Sequence, residues 1–141
     1  MIKIGDLKHS PLAKHKALKV QKKVHIPFSE EEINTVLSGA ATHDFEALRN
    51  KLIVELFYST GIRRSELINL KISDVDLAQQ QIKVLGKRNK ERYIPLIYTV
   101  QDTLKLYLDM RSTLKQILAP DFLFLTQKGA KIYGTLVYRI I

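Results

Sequence analysis

Two short stretches hold the side chains best suited to chemistry. The first, Tyr58-Ser59-Thr60-Gly61-Ile62-Arg63-Arg64-Ser65-Glu66-Leu67, sets an arginine two residues after a glycine. Glycine tolerates the left-handed backbone that ends a helix, so Arg63 is expected at the start of the next one. Free backbone N–H groups and the positive end of the helix dipole favour an anion there, and a guanidinium adds a planar fork matched to phosphate oxygens. The second stretch, Gly86-Lys87-Arg88-Asn89-Lys90-Glu91-Arg92-Tyr93-Ile94-Pro95-Leu96, follows an alternation of Ile82 and Val84. That pattern predicts a hairpin with Lys87, Arg88 and Lys90 at its tip. Glu66 shares a face with Arg63 at i, i+3 and is placed to hold it, although the same spacing also describes a surface ion pair worth well under about 1 kcal/mol. An arginine at a helix start and a lysine on a hairpin tip form the candidate phosphate site.

Several elements must position these groups. Ser29 as N-cap, Glu32 completing a capping box, and Phe28 with Ile33 as a hydrophobic staple predict a helix from residue 28 to about Gly39, and with it the start of the folded domain. From about Asp44, Phe45, Leu48, Leu52, Ile53, Leu56 and Phe57 recur at three and four residues, a core-facing stripe that leaves Arg49, Asn50 and Glu55 to water. After Gly61 a short helix buries Leu67 and Leu70. A long amphipathic helix is expected from about Thr99 to Leu118, with Val100, Leu104, Tyr107, Leu108, Leu114, Ile117 and Leu118 inward and Ala119-Pro120 as its stop. Phe122-Leu123-Phe124-Leu125 reads as a short buried strand that could join the hairpin. Lys128-Gly129-Ala130 turns the chain, and a last helix begins near Gly134 or Thr135. The expected class is α+β, mainly helical, with a small three-stranded antiparallel sheet of strands about 80–86, 91–96 and 122–126.

The 141 residues suffice for one compact core and are too few for two ordinary domains. An apolar fraction of 45% and a charged fraction of 26% fit a soluble globular chain. No run of about 18 apolar residues suggests a membrane span, and the basic N-terminal stretch lacks the apolar region of a secretory signal. A cytoplasmic setting is compatible with this. With no cysteine, disulfides, thiolate metal sites and cysteine nucleophiles are excluded together. The formal charge of +9 points to a polyanionic partner, of which nucleic acid is the commonest. Residues 1–27 carry seven lysines against the single acid Asp6, and so hold +6 of that +9. This stretch reads as a basic arm or interdomain linker, either lying along a phosphate backbone or simply solvated.

With both motifs in view, the chain resembles the catalytic domain of the tyrosine recombinases, the phage-integrase and Xer group. The resemblance runs from about Pro11 to the end and takes in Ser10-Pro11-Leu12 as an altered interdomain linker, Asp74 within the segment Leu70 to Leu77, and a hairpin in which Arg88 replaces the usual glycine. It implies that Arg63 and Lys87 belong to an active site, with Glu66 supporting, and that double-stranded DNA is the partner. Arg64, Arg88, Lys90 and Arg92, together with Lys19, Lys22 and Lys23, are then expected to contact DNA. In that family a tyrosine attacks the scissile phosphodiester, forming a 3′-phosphotyrosyl link and releasing a 5′-hydroxyl, without metal or cofactor. Arg63 would stabilise charge on the non-bridging oxygens and Lys87 would protonate the departing oxygen. Other recombinase protomers are implied as partners of a full-length parent.

The departures from the family pattern shape the expectation. A His-x-x-Arg box, a further His or Trp and the nucleophilic tyrosine should follow the third strand, yet His9, His15, His25 and His43 all precede Arg63 and none has arginine three residues on. Tyr138 falls where the family has an ordinary helix and is expected to pack; Tyr58, Tyr93, Tyr98, Tyr107 and Tyr133 are assigned core or surface roles. Residues 28–141 are therefore expected to be a partial catalytic domain, cut before those boxes and unable to cleave alone. The alternative is a non-catalytic DNA-binding remnant or regulator. A helix-turn-helix reader fits less well, because a basic hairpin follows the short helix.

Overall fold

The computed structural model describes Ser29, Glu31 and residues 44–141, with the backbone alone at Lys87. The helix expected from residue 28 to about Gly39, its capping box and staple, and the basic stretch with Lys19, Lys22 and Lys23 lie outside the described residues.

Helix α1 spans Phe45–Thr60 and is started by Asp44, whose carboxylate accepts from the Ala47 N–H. It ends at Gly61, which adopts φ 61 and ψ 26 while its N–H bonds the Phe57 carbonyl. Added bulk at Gly61 would meet nothing within 4 Å, so the left-handed backbone is what calls for glycine. Helix α2, Arg64–Asn69, follows at once, and a 3-10 turn over Ile72–Asp74 leads into strand β1, Val75–Asp76. Strands β2, Gln81–Leu85, and β3, Glu91–Pro95, form the hairpin, followed by helix α3, Tyr98–Ser112, and helix α4, Gly134–Ile140.

The core is one cluster between α1, α3, the sheet and the segment Leu123-Phe124-Leu125. Phe45 stacks on Tyr107, and Tyr107 meets Phe124 at a tilt, each pair with ring centroids 5.5 Å apart. Burying each such ring contributes about 2 kcal/mol. The stripe on α1 is buried as its spacing required, but Arg49 and Glu55 are buried too. Arg49 can leave water because its guanidinium finds partners: the Leu125 carbonyl at 3.2 Å, Asn50 and Glu46. Burial holds the Glu55 carboxyl above the usual carboxylate range, against the opposing effects of Thr103 and Lys51.

The sheet has three antiparallel strands in the order β1-β2-β3, so its third member is Val75–Asp76 rather than residues 122–126. Val75 pairs with Ile82 and Asp76 with Gln81. Residues 122–125 instead form isolated bridges, Phe122 to Lys71 and Leu125 to Lys131. Three successive buried residues, Leu123, Phe124 and Leu125, have no solvent-facing side, and side chains complete their backbone hydrogen bonding. The Tyr107 hydroxyl donates to the Leu123 carbonyl and accepts from the Leu125 N–H, and Arg111 donates to the Pro120 and Phe122 carbonyls.

Helix α3 also ends short of the expected Leu118. The hydroxyls of Ser112 and Thr113 turn back onto the Asp109 and Met110 carbonyls, and the N–H groups of Leu118 and Ala119 bond the Gly129 carbonyl across a loop. Leu118 is consequently exposed, and Leu114 and Ile117 are half-buried from the loop. Among the described residues no helix is long and apolar enough to cross a membrane.

Candidate phosphate-binding site

Arg63 is the N-cap of α2, and the helix turns Glu66 back beneath it. One Glu66 oxygen accepts from the Arg63 backbone N–H at 2.9 Å, the other from Arg63 Nη1 at 3.0 Å. Glu66 therefore occupies part of the anion-favouring helix start, and the anion-binding potential shifts outward to the guanidinium. Arg63 is 66% exposed, while the Glu66 side chain is 4% exposed. The Arg63 Nε and Nη2 groups make no hydrogen bond to the described residues. A planar donor edge, anchored from below, is what a phosphate oxygen pair requires.

The hairpin reaches the same carboxylate. Arg92 on β3 donates Nη1 to one Glu66 oxygen at 2.8 Å and Nη2 to the other at 2.9 Å. Glu66 thus accepts four hydrogen bonds on two oxygens, which fills the lone pairs of an ionised carboxylate. Arg92, and then the Arg63 N–H and guanidinium, hold the Glu66 carboxyl down to about 2, prevailing over the burial that raises it. The same contact raises the Arg92 guanidinium further above its ordinary value. The carboxylate is buried and fully partnered even though its guanidinium partners reach water, so the weak surface pair does not describe it.

At the hairpin tip, β2 and β3 pair from Gln81 with Pro95 to Leu85 with Glu91, and the Gly86 N–H bonds the Lys90 carbonyl at 2.8 Å. A 3-10 turn over Lys87–Asn89 closes the tip, with Arg88 and Asn89 both at φ 58. A methyl group at Gly86 would lie 3.3 Å from the Lys90 carbonyl oxygen, 3.6 Å from Arg92 Nη1 and 3.7 Å from Glu66 Oε1. The residue beside Lys87 is thereby packed over the ion pair that anchors Arg63.

Helix and hairpin enclose a groove of about 690 Å³, lined by Arg63, Ser65, Glu66 and Asn69 from α2 and by Lys83, Leu85, Gly86 and Glu91 from the hairpin, with Leu70, Lys71, Asp74 and Phe122 closing it. Of the residues singled out in the sequence, Arg63 and Glu66 line the groove and Arg92 reaches into the same ion pair. Arg64, Arg88 and Lys90 are exposed and are not among the lining residues. The side chain of Lys87 is outside what is described. Arg92 gives both terminal nitrogens to Glu66 rather than presenting them free to DNA, and its place was readable: period two puts it on the face of Ile94, which packs on the core. Lys83, Lys71 and Asp74 were not singled out as site residues. Lys83 sits 3.3 Å from Glu91 and 3.9 Å from Asp74, and Glu91 above all raises its ammonium above the ordinary value.

Tyr138, expected to pack, is 74% exposed on α4 and is not among the groove-lining residues. A seven-residue helix buries little more than one stripe, here Val137, and position 138 falls outside it. Tyr107 is fully buried, and burial pushes its hydroxyl up to about 12. Among the described residues no three His, Cys, Asp or Glu side chains gather into a group fit for a metal ion.

Similar proteins bear on this arrangement. The chain is 39% identical over 114 residues to the tyrosine recombinase XerC of Staphylococcus epidermidis, covering 79% of this chain and 38% of that protein. It is 33% identical over 140 residues to XerC of Corynebacterium glutamicum, covering 99% of this chain and 45% of the relative. The chain therefore spans less than half the length of these relatives. Among solved structures, the XerA recombinase superposes with a TM-score of 0.69 at 29% identity, over 82% of this chain and 40% of that one. A XerH site-specific recombinase bound to a palindromic difH substrate in a post-cleavage complex superposes with a TM-score of 0.62 at 27% identity, over 80% and 33%. Because the family model of the phage integrases also matches residues 16–141, taking in α2, the hairpin and the groove between them, this chain belongs to the phage integrase family, the tyrosine recombinases.

Proposed function

We propose that the chain forms part of the catalytic domain of a site-specific recombinase, which binds double-stranded DNA and cleaves and rejoins it through a 3′-phosphotyrosyl intermediate. The observation that carries this is the exposed Arg63 donor edge, fixed by a buried Glu66 at the mouth of a groove whose other wall is the hairpin. Arg63 contacts the non-bridging oxygens of the scissile phosphate, where negative charge builds in the transition state. Lys87, on the hairpin tip next to that groove, donates the proton to the departing 5′-oxygen. Arg64, Arg88 and Lys90 contact flanking phosphates, and the basic stretch 1–27 adds sequence-independent attraction. The XerH complex with its difH substrate supports DNA as the partner.

Within its 141 residues the chain holds no His-x-x-Arg sequence, and no tyrosine among the groove-lining residues. The polypeptide by itself is therefore proposed to bind DNA without cutting it. The test incubates it with a nicked recombination-site duplex and looks for protein–DNA adducts after denaturation. The expected result is retardation of the duplex in a native gel and no covalent adduct. A phosphotyrosyl adduct would overturn the inactivity; absence of any DNA binding at low salt would overturn the DNA-binding role.

A further inference from the structure

We infer that Arg92 is a positioning residue rather than a DNA contact: by gripping both oxygens of Glu66, it docks the hairpin against α2 and fixes the Arg63 guanidinium relative to the hairpin tip. Three features converge on this. Arg92 Nη1 and Nη2 each take a different Glu66 oxygen at 2.8 and 2.9 Å, a fork-on-fork contact that sets angle as well as distance. Among the described residues, Glu66 is the single group joining Arg92 to Arg63, through one oxygen to the backbone and the other to Nη1. Gly86, adjacent to Lys87, lies against the same pair, so that moving Arg92 moves the base of the hairpin tip. On this side a groove rather than packed core lies between helix and hairpin, and the Glu66–Arg92 contact crosses it. Lysine in place of Arg92 keeps the charge but, as a point donor, cannot hold both oxygens in a plane.

This deepens the proposed DNA role and rests on it for one of its two readouts. The experiment uses the 141-residue chain and its R92K, R92Q, E66Q and E66Q/R92Q forms. Without DNA, carbon-13 NMR follows the Glu66 carboxyl against pH; the amide spectrum of each form checks that it is folded. With DNA, fluorescence anisotropy measures affinity for a labelled duplex of random sequence.

The expected outcome is that R92K, like R92Q, raises the Glu66 midpoint towards the ordinary carboxylate value. Both forms should weaken duplex binding by the same factor, within twofold, and R92Q should cost nothing further once Glu66 is glutamine. A Glu66 midpoint unchanged in R92K would overturn the inference. So would wild-type duplex affinity in R92K, or losses from E66Q and R92Q that multiply in the double variant; these are the marks of an independent phosphate contact. Should the unaltered chain fail to bind the duplex, the DNA role falls while the Glu66 titration still decides the inference.

Discussion

Glu66 shows how one side chain can be read two ways until its partners are known. Spacing alone made it the acid end of an i, i+3 pair on a helix surface. Its partner from β3 lies 26 residues along the chain, and that contact converts a marginal pair into a buried carboxylate with four donors. The consequence for stability has a sign. The folded carboxyl is held down to about 2 against an ordinary 4.5, so its stabilisation is complete above pH 4.5 and is lost as pH falls towards 2. We expect the unfolding free energy of the chain, from urea denaturation, to fall across that window by on the order of 2 kcal/mol, discounted because Arg63 and Arg92 remain partly in water. E66Q should flatten this dependence, and a wild-type profile with no slope between those values would refute the account. Arg88 carries a different strain. It holds φ 58 without a hydrogen-bond partner among the described residues, a conformation that costs L-residues about 1 kcal/mol. R88G is expected to stabilise the chain by up to about 0.5 kcal/mol after the entropic cost of glycine, as measured by urea denaturation. A loss of stability would mean the arginine stem packs usefully on the hairpin.

At the scale of elements, what could be read from sequence was whatever depended on neighbours along the chain. The α1 stripe, its end at Gly61, the burial of Leu67 and Leu70 and the hairpin pairing all follow from periods of 3.6 and 2 or from one glycine. Residues 114–125 escaped because their partners are remote. Leu114 and Ile117 continue an apolar pattern, yet hydroxyl back-bonding at Ser112 and Thr113 stops the helix and Gly129 draws the following loop across it. The buried run 123–125 looked like a strand, but the Leu123 carbonyl and the Leu125 N–H go to the Tyr107 hydroxyl, and the Leu125 carbonyl goes to Arg49. A pattern of apolar residues says that a segment is buried, and does not say whether a strand or a side chain satisfies its backbone. Gly129 offers the sharpest test. A methyl group there would stand 2.0 Å from the Gln116 carbonyl oxygen, and the residue has φ 77. G129A is expected to destabilise the chain by more than about 2 kcal/mol, because the contact is with backbone that cannot swing aside and the positive φ strains any side chain. A denaturation midpoint equal to wild type would show that the loop 114–119 is not held as described.

For the whole molecule, the distribution of charge separates attraction from recognition. The groove itself is balanced: Arg63, Lys71 and Lys83 face Glu66, Asp74 and Glu91 among its lining residues. It therefore offers no strong field to draw in a polyanion, and what it supplies is one oriented donor edge. Two thirds of the charge excess, +6 of +9, resides instead in residues 1–27. Counterion release makes the slope of log affinity against log salt a count of neutralised phosphates, at about 0.9 per contact. Deleting residues 1–27 should accordingly lower that slope by several units and weaken binding strongly at low salt, whereas R63Q should lower it by about one unit. The check is fluorescence anisotropy of a labelled duplex across a salt series with all three proteins. If the deletion left the slope unchanged, attraction would have to arise from residues 28–141, whose charge excess is only the remaining +3. If R63Q also left it unchanged, Arg63 would not touch a phosphate in the bound state, and the donor edge held out by Glu66 would have no ligand in the complex.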